Sequence, residues 1–394
     1  MTSSAPRLAA LLLAAPLLLA GCSSDDGGGG EENDARATPS TTPDRSDPPA
    51  PTTDAPSTPA DTPAGSATTV SGPPRVVDTI ATGLEVPWGL TFLPDGDAVA
   101  TERDSGRVLR IAPTGQITEL GTVTEAAPEA EGGLLGVAVS PDFATDQRLF
   151  LYLTTDTDNR VVRTTLRDDR LGDLDPILTG IVKGPIHDGG RLEFGPDGYL
   201  YVSTGEAGEP DRAQDRDDLG GKILRITTDG DPAPGNPNGS PVWSWGHRNV
   251  QGLAFVGDQL WASEFGDSDF DELNRIERGA NYGWPEVEGT GGPDAAAAGY
   301  VDPLATWDTD EASPSGLAYA AGHLWMAALR GERLWRVPVD GDRLGRPESF
   351  LIGRYGRMRT VAVAPDGRLW LTTSNRDGRA EPKDGDDRIL LIAP

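Results

Sequence analysis

An intramolecular disulfide needs two cysteines and a thiolate metal cluster needs more; this chain has only Cys22, so both are excluded. Basic residues are also scarce, 34 against 62 acidic ones, for a formal net charge of -28. A surface so acidic repels phosphate at long range, which argues against a nucleic-acid partner. Lysine is confined to Lys183, Lys222 and Lys383, and histidine to three positions. No apolar run is long enough for a comfortable membrane span. The longest, Leu8 to Ala20, follows a single arginine and ends in small residues, the pattern of a secretory signal. Amphipathic helix signals are nearly absent.

The close of that run, Leu19-Ala20-Gly21-Cys22, resembles the bacterial lipobox. It implies a signal peptide over 1–21, cleavage before Cys22 and a lipid on its sulfur; an ordinary secretory signal with an incidental cysteine is the alternative. The expected location is the outer face of the cytoplasmic membrane, with the membrane met through the lipid alone. Residues 22–74 are Gly, Ser, Thr, Pro, Ala and Asp with almost no large apolar side chain. Such a segment cannot bury enough surface to offset its ordering entropy, and it is expected to be a disordered linker.

From Arg75 a repeat begins. Its phrases are GLTFLPDGDAVATE from Gly89, GVAVSPDF with RLFLYLTT from Gly136, RLEFGPDGYLYVSTGE from Arg191, GLAFVGDQLWASEFG from Gly252, GLAYAAGHLWMAALR from Gly316 and TVAVAPDGRLWLTTS from Thr360. Each reads as an alternating strand, a tight turn and a second strand, often followed by a third such as GRVLRI or GKILRI. Six units at intervals of about 45 to 65 residues predict an all-β, six-bladed β-propeller over 75–394. The piece RVVDTIATGL is expected to pair with the last blade and close the ring. Pro-Asp-Gly at 94–96, 196–198 and 365–367 is turn chemistry and says nothing of function.

Function in a propeller sits where loops converge at one end of the axis. His187, in IHDGGRLEFGPDG, stands before an inner strand and is followed by two glycines that let the backbone pass close to something flat. A base, a ligand or a packing residue are all open to it; Glu206, at the end of the next strand, could bias its protonation. In GHRNVQG, Arg248 and Asn249 hold the corresponding place in the fourth unit, while His247 reads as structural. Arg357 and Arg359 flank Met358 before the sixth inner strand, on one side of it by alternation, and Arg330 ends the fifth unit's outward strand. Four arginines at one mouth would make a local anion pocket. The loop SEFGDSDFDEL crowds Asp267, Asp269, Asp271 and Glu272, which suits Ca²⁺ or simply an acidic surface.

Taken together, EGGLLGVAVSPDF, IHDGGRLEFGPDG, GHRNVQGLAF, the SEFG...DEL loop, GANYGWP and GRMRTVAVAPDG stand in the order found in a known family, over nearly the whole chain after the linker. The chain resembles the soluble pyrroloquinoline-quinone (PQQ)-dependent glucose, aldose-sugar and sorbosone dehydrogenases. The resemblance implies oxidation of an aldose at C1 to a lactone, with PQQ and Ca²⁺ as cofactors and an unidentified external electron acceptor. It implies that His187 is the general base, taking the C1 hydroxyl proton while hydride goes to the quinone, and that Glu206 partners it. It places Arg248, Asn249, Arg330, Arg357, Arg359 and Glu131 around the cofactor. It implies Ca²⁺ at the backbone of Gly266 and Asp267, with further Ca²⁺ at Asp271, Glu272 and the carbonyl of Tyr282. Glu131, Glu206, Phe265 and Arg330 replace a glutamine, an aspartate, another glutamine and a lysine of the glucose-oxidising members, changes that bear on sugar choice. A Ca²⁺-dependent propeller hydrolase such as a lactonase, and a non-catalytic ligand-binding propeller lipoprotein, are the competing readings.

Overall fold

The computed structural model describes residues 72–394; Cys22, the expected signal peptide and all but the end of the expected linker lie outside the described residues. Short alternating strands joined by tight turns form six antiparallel sheets. Blade one is Pro87–Phe92, Ala98–Glu102, Arg107–Ile111 and Ile117–Thr122; blade three is Leu192–Phe194, Leu200–Ser203, Lys222–Ile226 and Val242–Trp245. The innermost strands of the other blades are Leu134–Val139, Val250–Val256, Pro314–Ala320 and Met358–Val363. Pro-Asp-Gly makes the inner hairpins as expected: the Gly96, Gly198 and Gly367 N–H groups donate to Leu93, Gly195 and Ala364 carbonyls at 3.0, 2.9 and 2.8 Å, each glycine at positive φ.

The ring closes with the chain's first described strand. Arg75–Thr82 pairs with Arg388–Ala393 as the outermost strand of blade six, from Arg75 opposite Ala393 to Thr82 opposite Arg388. This is the expected closure, and it protects an otherwise open sheet edge. Between blades, an aromatic on the second strand of one sheet packs against the next. Phe150 joins the core shared with blade three, Trp261 that with blade five, and Trp325 that with blade six; Trp370 reaches the core shared with blade one.

Around the axis the inner strands approach one another most closely at a glycine. A Cβ on Gly89, Gly136, Gly252 or Gly316 would lie 2.8, 2.1, 2.3 or 2.9 Å from the carbonyl oxygen of Leu135, Gly190, Ser315 or Arg359 on the next inner strand. Aligned on the turns, Thr360 holds that level in blade six and Arg191 in blade three. Two residues on, the level reads Thr91, Ala138, Glu193, Ala254, Ala318 and Ala362, and these line an axial cavity of about 390 Å³.

Candidate active site

The loops that enter the inner strands and those that leave the second strands meet at the end of the axis opposite the hairpin turns. His187 lies there, 8% exposed, with its backbone at φ +60°. Three contacts hold this unfavourable conformation. The His187 N–H donates to Glu131 Oε2 at 3.0 Å, the Ala207 N–H donates to the His187 carbonyl at 3.1 Å, and Gly205 packs so closely that a Cβ there would sit 1.9 Å from that carbonyl oxygen. The imidazole Nδ1 lies 2.5 Å from Glu206 Oε1, with Glu206 1% exposed. With Glu206 ionised, Nδ1 carries the proton and Nε2 is left as the acceptor, the tautomer a general base needs.

The glycines after His187 act differently from expectation. Gly189 approaches the Thr204–Gly205 backbone and Gly190 approaches Leu135 and Tyr152, so they fit His187's loop to its own blade and its neighbour instead of thinning it toward the open cleft. Asn249 is part of this frame: its Oδ1 accepts the Gly189 N–H at 3.1 Å, and its carbonyl accepts the Phe265 N–H at 3.1 Å.

The arginines converge from separate blades. Arg357 Nε donates to Asp377 Oδ2 at 2.8 Å, and Arg359 Nη2 lies 3.6 Å from the same oxygen, so alternation does put both on one side. Arg359 also donates to Ser374 Oγ and to Gln251 Oε1, at 3.1 and 3.2 Å. Burial pushes its guanidinium down to about 9, against the pull of Asp377. Arg248 Nη2 meets Asp267 Oδ1 at 2.8 Å, and its buried Nε has no partner. Glu131 Oε1 accepts from Arg379 at 2.8 Å, a pair between loops of blades two and six. Burial opposes ionisation of Glu131, but the His187 N–H and Arg379 hold its carboxyl below the usual range. Arg103, Glu131, Gln251, Phe265, Arg359 and Asp377 thus share one cleft. Arg330 is not brought into it: it is exposed and makes no ion pair among the described residues, while Leu329 beside it lines the cleft. His247 is structural as expected, fully buried, bonded to Glu264 and Ser244 at 2.8 and 2.9 Å and stacked on Tyr282.

The acidic loop is arranged differently from a simple cluster. Backbone N–H groups of Asp267, Ser268, Asp269 and Phe270 all donate to Glu288 Oε1, and Asp269 points to solvent. Asp271 and Glu272 leave opposite faces of their strand, so their side chains do not share one ion. Asp271 accepts from the Gly266 and Ser313 N–H groups, whereas Glu272 accepts from Gly289 and Asn274. Among the described residues no three acidic or imidazole side chains form a ready metal group. Glu264, opposite Glu272 in register, is the partner missed in the sequence. Burial and then Glu264 push the Glu272 carboxyl up to about 8, and the pair lines a small cleft with Gly266, Tyr282 and Glu288. Two buried glutamates side by side, with a third, Glu288, in the same cleft, are a hard-oxygen set that a divalent cation would relieve; that chemistry fits Ca²⁺.

A cleft of arginines and carboxylates over the axis of a six-bladed propeller, flanked by an imidazole–carboxylate pair, defines the class of propeller that carries a polar, enzyme-like site at one end of its axis. The chain belongs to the glucose/sorbosone dehydrogenase family, whose sequence model matches residues 84–384. It is similar to the PQQ-bound aldose sugar dehydrogenase of Streptomyces coelicolor, at 55% identity and a TM-score of 0.78, covering 82% of this chain and 98% of that one. It is 31% identical to the aldose sugar dehydrogenase YliI of Escherichia coli over 77% of this chain and 91% of that protein. It is 32% identical to the quinoprotein glucose dehydrogenase B of Acinetobacter calcoaceticus, over 62% of this chain and 59% of that protein.

Proposed function

We propose that this chain oxidises aldose sugars at C1 to lactones with PQQ and Ca²⁺ and passes the electrons to an external acceptor. The observation that carries the reading is the His187–Glu206 pair beside arginines gathered from blades four and six. The names of the relatives supply the substrate class and the quinone.

Arg248, Arg357 and Arg359 suit the carboxylates of the cofactor, Arg248 through its unpartnered Nε, and Asn249 braces the loop that carries His187. When bound, the quinone supplies the hydride acceptor. His187 Nε2 takes the proton of the C1 hydroxyl, and Glu206 holds the ring in the required tautomer and stabilises the imidazolium that forms. Glu131, anchored by the His187 N–H and by Arg379, presents a carboxylate at the cleft where a sugar hydroxyl can donate to it. Glu264 and Glu272, with the carbonyls of Gly266 and Tyr282, are the ligands we assign to Ca²⁺, and Asp271 supports that loop from its other face. Arg330 is exposed beside Leu329 and is left out of this assignment.

The test mixes purified protein with PQQ, Ca²⁺, an aldose panel and a dye acceptor. Dye bleaching that requires both additions is expected, and His187→Ala should cut it by roughly a hundredfold or more with an unchanged melting temperature. Lactone hydrolysis without quinone would place the chain with the Ca²⁺ hydrolases instead, and absence of quinone uptake would leave only a binding propeller. Export and lipidation at Cys22 are proposed from the Leu-Ala-Gly-Cys sequence; Cys22→Ser should abolish fatty-acid labelling and release the protein from membranes.

A further inference from the structure

Two levels of the axial channel are built from small residues except in blade three. Gly89, Gly136, Gly252, Gly316 and Thr360 form one level with Arg191; Thr91, Ala138, Ala254, Ala318 and Ala362 form the next with Glu193. Blade three therefore sends the one cation and the one anion of these levels into the axis. Arg191 is 7% exposed and makes no direct ion pair among the described residues, and Glu193, two residues on, acts on it only at longer range. Neutral groups hold it: Nε donates to the Gln251 carbonyl at 2.8 Å, Nη2 donates to Thr360 Oγ1 at 3.0 Å, and the guanidinium lies 4.3 Å from the centre of the Trp88 ring. Gln251 in turn accepts from Arg359 through its side chain, and Arg359 also faces Trp88 at 5.9 Å. Arg191 thus lies one hydrogen-bonded layer below the arginine assigned to the cofactor, closing the channel under the cleft.

A guanidinium can be buried without a direct ion pair only at a cost in desolvation, and stacking plus two neutral acceptors offset part of it. Burial lowers its affinity for the proton, to about 10, and Glu193 below it is pushed by burial up to about 7. A packing role would be met by an apolar side chain at less cost. The charge has a use where negative charge appears on the cofactor while the matching proton is held apart on His187. In the proposed reaction the C1–H bond breaks with its two electrons going to the cofactor and the hydroxyl proton going to His187, so a C1=O bond forms and the cofactor side gains one negative charge.

We propose that Arg191 is a positioning residue that, through Gln251 and Arg359 and by a charge on the axis that no direct ion pair takes up, makes the cleft favour the reduced cofactor over the oxidised one. Glu193 opposes it from the far side. The inference rests on the PQQ reading above.

The experiment is a redox titration of the PQQ- and Ca²⁺-loaded protein at about pH 8, followed by cofactor absorbance, with thermal melts as a folding control. Arg191→Met should lower the midpoint potential, equivalent to a roughly tenfold fall in the preference for reduced over oxidised cofactor, the scale of one poorly screened charge. Arg191→Lys should restore most of it. Glu193→Gln, in a half-buried channel position, should move the potential the other way. An unmoved potential in Glu193→Gln, or shifts of the same sign in Glu193→Gln and Arg191→Met, overturns the proposal, and the first criterion stands even if Arg191→Met fails to fold. A wild-type protein that takes up no cofactor overturns both readings; a loaded protein with an unresponsive potential overturns this one alone.

Discussion

Asp188, next to the proposed base, carries a strain of its own. It is 2% exposed; Oδ1 accepts from Asn159 and Gly184, and Oδ2 is buried without a partner. Burial raises its carboxyl from 3.8 to about 6, with the two hydrogen bonds working against the rise. The folded chain therefore holds this proton more tightly than the unfolded one. Between about pH 4 and 6 the folded state binds more protons, so the stability this group contributes is present at acid pH and is lost as pH rises through its folded value. Asp188→Asn should remove up to about 3 kcal/mol of that slope, read as a flatter dependence of unfolding free energy between pH 4 and 7. A variant with the wild-type slope would assign the slope elsewhere. At this scale the sequence was informative where one residue type is rare. With three histidines, His187 and its carboxylate could be named, and they meet at 2.5 Å. Arginines and aspartates are common, so Asp377, Arg379 and Arg103 carried no signal: RDGR reads as a turn, and only the folded loop brings Asp377 under Arg357. Arg330 stood out by position alone; it is exposed, and its neighbour Leu329 lines the cleft in its place.

At the scale of strands and loops, alternation and tight-turn signals located the first two strands of every blade and the third of most, because those strands are largely buried or pinned by a turn. The outer strands were not legible. Ile117–Thr122 buries Leu120 alone and otherwise carries exposed or half-buried positions with Thr, Glu and Gly, so its sequence differs little from a loop's. The outermost strand of blade six was the exception, since RVVDTIAT begins abruptly after a stretch of sequence with almost no large apolar residue. The glycines of the inner strands, Gly89, Gly136, Gly252 and Gly316, each mark a close approach to backbone of the next blade. Gly136→Ala would place a methyl 2.1 Å from the Gly190 carbonyl oxygen, with backbone on both sides and no flexible side chain to yield. It should destabilise the protein by about 3 kcal/mol in chemical denaturation and disturb the loop that leads from His187 into blade three. The acidic loop shows the converse limit. Its composition suggested oxygen ligands, but which carboxylates face each other depends on register, and register pairs Glu264 with Glu272 while sending Asp271 to the opposite face.

The whole molecule sets one further expectation, through charge. The chain carries a formal net charge of -28, and the proposed cofactor is itself a tricarboxylate. At long range the two repel, unless the arginines of the cleft project a positive field of their own. They project little, because most are already paired: Arg248 with Asp267, Arg357 with Asp377 and Arg379 with Glu131, each at 2.8 Å. Seen from beyond a Debye length these are dipoles, and the negative field of the surface decides the approach. Close in, the balance reverses, since the carboxylates of the cofactor can share or displace those of Asp377 and Asp267, and the unpartnered Arg248 Nε and buried Arg359 then gain a partner. Salt should thus act with opposite signs on the two stages. Raising ionic strength from about 10 to 150 mM shortens the Debye length from roughly 30 to 8 Å, so PQQ association should accelerate severalfold while dissociation changes little or quickens. Stopped-flow absorbance of the Ca²⁺-loaded protein mixed with PQQ measures both rates. An association rate that falls with salt would mean that the cleft, not the acidic surface, dominates the encounter, and that one or more of the arginine pairs stands open in solution.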